Sequence, residues 1–202
     1  MTLRENFDKA FLFINTREGM PELMNWLETE TDFFTAPASS NFHGNFEGGL
    51  LEHTMNVLQF ALHNFNYIVK QNPDLEYLRE SIVLCSLFHD VCKTNFYEKE
   101  KKWTKDEDNK WKEYYGWIIK DKFPLGHGEK SIYLLSKFIK LTDAEAMAIR
   151  WHMGPHEISV HIPNTPQSYA FNQAIDHPLV RIIHCADMIA LTMEHKVDHK
   201  NA

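Results

Sequence analysis

The chain has 202 residues, 44% of them apolar and 24% charged, and its 28 acidic against 21 basic side chains leave a formal charge of -7. That length suits a single domain, residues 1–202, able to bury a core without staples, and an aromatic content of 13% argues against disorder. The acidic balance argues against a long nucleic acid as the main partner, since that affinity rests on Lys and Arg, but leaves room for one short phosphate-bearing substrate.

Cys85, Cys92 and Cys185 are odd in number and form no C-x-x-C pair, so no disulfide framework is expected and a reducing compartment fits. All three read as small core residues. Residues 1–8 carry acids and Asn where a signal peptide needs an apolar stretch, and no apolar run is long enough to span a bilayer. A soluble, cytoplasmic protein with no membrane partner is expected.

The dominant period is helical. Leu3, Phe7, Ala10, Phe11 and Ile14 share one face, and Thr2 with Glu5 forms a capping box before them. Gly19 breaks this helix, and Pro21 starts a second one through Leu27. Residues 31–49 are rich in Gly, Ser, Asn and Pro and read as a loop. A helix is expected from Leu50 to about Val69, then another from Asn72-Pro73 to about His89.

Residues 95–120 change character. Aromatic and β-branched residues flank a polar Asp106–Asn109 centre, the pattern of a two-stranded hairpin inserted between helices. Helices then follow from His127 to Ile139, from the Thr142–Glu145 capping box to about His152, from Ser168 to Ile175, and from Pro178 to about His195. Residues 154–166 read as a loop.

Twelve histidines are present, so position must sort them. His89-Asp90 ends the apolar run Ile82–Phe88, placing an imidazole and a carboxylate, both good divalent-metal ligands, at the end of a buried helix. His53 opens a helix behind Gly48-Gly49, His127 opens another, and His152 ends the capped helix. Asp187 lies inside an apolar helix, where a carboxylate needs a partner; a metal or His184 would serve. His43, His63, His156, His161, His177, His195 and His199 lie off this series and read as structural or surface residues, His43 being set apart because its glycine-rich loop leads straight to His53. The series His53, His89-Asp90, His127, His152, Asp187 is spaced 25 to 37 residues apart, so each member comes from a different helix around one bundle core.

In this order the residues resemble the HD-domain superfamily of metal-dependent phosphohydrolases, over about residues 48–190. Lys93, in His89-Asp-Val-Cys-Lys93, matches the lysine that often follows the pair, and Gly48-Gly-Leu-Leu-Glu-His53-Thr54 is similar to HD domains found beside bacterial 3′–5′ exoribonuclease modules. The resemblance implies an all-α, HD-type helical bundle with a core of about residues 48–195 and a small β-hairpin insertion at about 95–120. It implies one or two divalent ions drawn from Mn, Fe, Mg, Co, Ni or Zn. His53, His89 and Asp187 hold the first, and Asp90 bridges to a second held by His127 and His152. Such ions clamp phosphoryl oxygens and lower the pKa of a water, while Lys93 offsets phosphate charge. Asp90 and Lys93 are thus the expected catalytic residues. With a single ion, His127 or His152 would protonate the leaving group instead.

The expected substrate is small and phosphorylated, a nucleotide or a short phosphodiester. Lys93, Trp103 and Trp117 are candidates to touch it, the two indoles by stacking or by covering a pocket. The hairpin face that carries them can equally pack on the helical body, and its lysines, diluted by acids, read as a solvated edge. Two other activities suit the same ligands: a two-iron oxygenase of this fold, and a silent protein that binds a metal–nucleotide.

Overall fold

The computed structural model describes residues 1–154 and 164–198 and is mainly helical with one antiparallel hairpin. Helix α1 (Leu3–Ile14) starts at a complete Thr2–Glu5 capping box and buries Phe7, Phe11 and Ile14. Helix α2 (Met20–Thr29) has Pro21 in its first turn and buries Met20, Leu23 and Leu27. The long α3 (Gly49–Gln71) buries an apolar stripe from Leu50 to Phe65, with His53 and Thr54 on the same inward face.

The helix expected from Asn72 to His89 is divided. Pro73–Leu78 is a 3₁₀ turn, and α4 (Arg79–Phe88) is the helix proper. The reason is burial: between Pro73 and Leu78 only Leu78 is inside, so there is no apolar stripe to hold an α-helical turn against the core. From Ile82 to Phe88, by contrast, every residue is buried. A short 3₁₀ turn, Val91–Lys93, follows His89-Asp90.

Strands β1 (Tyr97–Lys105) and β2 (Trp111–Ile119) pair from Tyr97–Ile119 at the body to Lys105–Trp111 at the tip. Directly opposed residues share a face. One face therefore carries Tyr97, Lys99, Lys101, Trp103 and Lys105 with Ile119, Trp117, Tyr115, Glu113 and Trp111.

Helices α5 (His127–Leu135), α6 (Asp143–Arg150), α7 (Pro166–Ala174) and α8 (Pro178–Ala190) complete the set, with capping boxes at Thr142–Glu145 and Thr165–Ser168. Helix α5 stops four residues before Ile139, because the chain turns to seat Phe138 against Trp26, with ring centroids 5.2 Å apart. Helix α8 stops five residues before His195. There the chain turns and runs back to the glycine-rich loop, where Asn45 and Val197 exchange two hydrogen bonds at 2.7 and 2.8 Å. Most of the loop expected at 154–166, with His156 and His161, lies outside the described residues, as does His199.

Helix α3 packs against α4 and α8, α8 against α6, α6 against α5, and α1 closes the base on α4. Phe7 is the hub of that base, with Phe33 and Phe88 within 5.6 and 6.3 Å. Arg17 ties the α1–α2 turn to α6 through two 2.8 Å bonds to the buried Glu145. The fold class is the expected one: a helical bundle with a hairpin insertion. No helix among the described residues is long and apolar enough to cross a membrane.

Candidate metal centre

The packing of α3, α4, α6 and α8 brings five members of the sequence series to one buried point. His53 Nε2 lies 3.2 Å from His89 Nε2, 3.1 Å from Asp187 Oδ1 and 3.4 Å from Asp90 Oδ2. His152 Nε2 lies 3.4 Å from Asp90 Oδ1 on the other side of that carboxylate. All five residues are at most 3% exposed.

The backbone prepares this convergence. His89 caps α4, and its Nδ1 faces the Ser86 carbonyl at 3.0 Å. His152 follows α6, and its Nδ1 faces the Ile149 carbonyl at 2.7 Å. His53 Nδ1 faces Glu194 Oε1 at 2.8 Å. A carbonyl or carboxylate only accepts, so each of these Nδ1 atoms donates, and each ring, when neutral, turns its Nε2 lone pair into the cluster. Gly154, at φ 56°, tightens the turn after His152; a Cβ there would lie 2.3 Å from the His184 ring.

The electrostatics point the same way. Among the described residues, Lys93 is the ammonium that pairs with this cluster, its Nζ 2.6 Å from Asp90 Oδ2, whereas Asp187 and Glu194 meet imidazoles. Burial pushes the Asp90 and Asp187 carboxyls up, but Lys93 and the imidazoles around Asp90, and His53 beside Asp187, outweigh it and hold both well below the ordinary range. Burial pulls His89 down to about 4, so its ring is neutral and its lone pair is available. Burial also opposes charge on His53, yet its bonds to Asp187, Asp90 and Glu194 raise it well above the ordinary value. The cluster therefore draws in positive charge.

A metal ion fits these donors. Asp90 Oδ1 and His152 Nε2 are buried and have no hydrogen-bond partner, although they face each other. Acceptor aimed at acceptor is unfavourable; a proton on His152, which burial opposes but Asp90 favours more strongly, or a metal ion between the two relieves it. His53, His89 and Asp90 place one donor atom each within 4.8 Å of one another. The Nδ1 bonds are the outer partners that orient ligating histidines.

The remaining candidates are placed as follows. Lys93 is 6% exposed, not the solvated side chain that a position after a helix end suggests. His127 opens α5 beside Asp90, with Nδ1 3.2 Å from Cys92 Sγ, and is half-buried. Trp117 sits on the Tyr97 face of the hairpin under the Lys99 ammonium, 4.8 Å from the ring centroid. Trp103 shares that face but is 58% exposed and six residues beyond Tyr97, about 20 Å along an extended strand. Asp187 is met by His53, whereas His184 turns its Nδ1 to the His152 carbonyl at 2.7 Å. Cys85 and Cys92 are buried, but Cys185 is exposed, on the outer face of α8.

Glu194 escapes sequence reasoning, and only its loop sets His43 apart. Glu194 lies beyond the end of α8 and is brought to His53 by the turn after Ala190, so no helical period in the sequence points to it. His43, in the glycine-rich loop, has its ring centroid 5.3 Å from that of His53. The sequence signal for this is the glycine-rich stretch that joins it directly to the start of α3.

A helical bundle with a buried imidazole–carboxylate cluster defines the class. The chain belongs to the HD domain family, within the phosphohydrolase superfamily: the family model matches residues 50–191. Over 66 residues the chain is 39% identical to a dihydroneopterin 2′,3′-cyclic phosphate phosphodiesterase of Methanocaldococcus jannaschii, a stretch covering 32% of this chain and 26% of that protein. The alignment thus spans about a quarter of that relative's length. No solved structure matches the chain significantly.

Proposed function

We propose that the protein is a metal-dependent phosphohydrolase acting on a nucleotide or a short phosphodiester, cyclic phosphodiesters included. The observation that carries this reading is the convergence of three buried imidazole Nε2 atoms on the Asp90 and Asp187 carboxylates, with the Lys93 ammonium on Asp90. The relative named above, a cyclic phosphate phosphodiesterase, supports the substrate class.

In this reading His53, His89, Asp90 and Asp187 hold one ion, and Asp90 with His127 and His152 holds a second. When bound, the ions supply Lewis acidity toward phosphoryl oxygens and a lowered pKa for water. Lys93 keeps Asp90 ionised and adds a fixed positive charge beside the reacting phosphate. Glu194 holds the His53 ring in one tautomer. Trp117, with Trp103 farther out on the same face, is the hairpin's contact for a base or leaving group.

The test is turnover by metal-free protein reloaded with manganese, cobalt, iron(II), zinc or magnesium. The probes are bis(p-nitrophenyl) phosphate and adenosine 2′,3′-cyclic monophosphate. Hydrolysis that needs a metal and disappears in Asp90→Ala is expected. Hydrolysis retained in Asp90→Ala overturns the reading. So does tight nucleotide binding without turnover under every metal, which identifies a silent binding protein. Turnover that requires oxygen and iron identifies an oxygenase instead.

A further inference from the structure

Cys92 is 1% exposed and lies in the 3₁₀ turn two residues after Asp90. Its backbone N–H donates to Ser131 Oγ at 3.1 Å, which ties this turn to α5 one helical turn past His127. Helix α5 is itself seated tightly: a Cβ on Gly128 would lie 2.5 Å from the Arg150 carbonyl oxygen. Two rigid elements thus set the 3.2 Å contact between Cys92 Sγ and His127 Nδ1. Asp90, Cys92 and His127 each offer a donor atom within 4.8 Å of the others.

We propose that Cys92 is a ligand of the ion shared by Asp90 and His127, making this half of the centre a sulfur-containing site for a soft or borderline divalent ion. The proposal rests on the metal-dependent reading above and names the chemistry of its second position.

The geometry suits coordination. A tetrahedral ion with bonds of about 2.3 Å to sulfur and about 2.0 Å to nitrogen separates those donors by about 3.5 Å. The observed separation is 3.2 Å. The orientation of His127 also differs from that of its neighbours. His53, His89 and His152 turn Nδ1 to a protein acceptor and Nε2 to the cluster, whereas His127 turns Nδ1 to the sulfur. Coordination at this position therefore runs through Nδ1 of His127.

A second observation points to a ligand here. Asp90 is 2% exposed, its Oδ1 meets only His152 Nε2, at 3.4 Å, and has no hydrogen bond within normal reach, and one of its carboxylate oxygens lies within 4.8 Å of the Cys92 and His127 donors. Metal binding breaks the Cys92 S–H bond, forms a metal–sulfur bond and releases the proton to solvent. Thiolate favours zinc, cobalt or iron(II), whereas magnesium prefers an all-oxygen shell.

Cobalt(II) reports the sulfur directly. Metal-free wild-type protein, Cys92→Ser, Cys92→Ala and the surface control Cys185→Ser are titrated with cobalt and followed by absorption, with circular dichroism as the check of folding. The expected result is a near-ultraviolet sulfur-to-cobalt charge-transfer band in wild type and Cys185→Ser, absent from both Cys92 variants. The visible cobalt bands from the His53–His89–Asp187 position persist in all four. Zinc affinity at the weaker position should fall by more than the ~10–100-fold that loss of an outer partner costs. Visible cobalt bands with no charge-transfer band in wild type, or a band that survives Cys92→Ala, overturn the assignment of Cys92 and leave the phosphohydrolase reading standing. Absence of cobalt binding in wild type overturns both.

Discussion

Nε2 of His53 and Nε2 of His89 face each other at 3.2 Å, although the other nitrogen of each ring already meets an acceptor, Glu194 in one case and the Ser86 carbonyl in the other. Two neutral rings held this way present lone pair to lone pair. A proton on His53, which the surrounding carboxylates favour, resolves the conflict in metal-free protein. A divalent ion resolves it by replacing that proton. Metal loading at neutral pH is therefore expected to release protons, and a pH-stat or calorimetry in buffers of different ionisation enthalpy measures them. Metal uptake with no proton release would sink this account of His53.

Asp90 touches both halves of the cluster, with Oδ2 toward His53 and Oδ1 toward His152. Asp90→Asn keeps the volume but removes the charge. Metal content should fall to less than one ion per chain, and kcat/KM should fall by about 100-fold or more, beyond what an outer partner costs. Elemental analysis beside a steady-state assay checks both.

Glu194 reaches the centre only through His53 Nδ1. Glu194→Ala should weaken metal affinity by about 10–100-fold. Glu194→Gln, which still offers an oxygen to Nδ1–H, should restore most of it. A competition titration with a chelating indicator separates the two variants, and equal loss in both would remove Glu194 from the positioning role.

Lys93 is the one ammonium paired with the buried Asp90, and removing one partner of such a pair leaves an uncompensated charge. Lys93→Met should destabilise metal-free protein by about 3 kcal/mol. A bound divalent ion compensates Asp90 in its place, so metal should raise the melting temperature of the variant more than that of wild type. Differential scanning calorimetry with and without zinc reads the difference.

Arg17 and Glu145 form a bidentate pair outside the cluster. Burial pushes the Glu145 carboxyl up, but its bonds to Arg17, the Thr142 backbone and Ser81 outweigh it and hold it below the ordinary 4.5. The unfolded state then binds the proton first, so this contribution is full above about 4.5 and is lost as pH falls through the lower folded value. Arg17→Met should cost about 3 kcal/mol at neutral pH and flatten the acid limb of stability against pH. Urea unfolding from pH 7 to 3 measures this, and parallel curves for variant and wild type would rule the pair out.

Much of this arrangement was legible in the chain because it is local. The apolar period sets which face of α1, α3 and α8 is buried, and the boxes at Thr2–Glu5 and Thr142–Glu145 set where two helices start. Alternation around a polar centre marks the hairpin, and the order His53, His89-Asp90, His127, His152, Asp187 marks a candidate site because each member sits at a helix end or on a buried helix. Helix ends were less legible. The division of 73–88 and the early stop of α8 at Ala190 depend on what those segments pack against.

Tertiary structure alone decided which donors meet and through which atoms. Distances of 3 to 4 Å between residues on four helices follow from packing angles summed over many long-range contacts, which no local period encodes. The turn after Ala190 brings Glu194 to His53, the glycine-rich loop brings His43 beside it, and packing sends His184 to the His152 carbonyl instead of Asp187. It also set Cys92 against His127, a contact between a buried turn and a helix start that lie 35 residues apart.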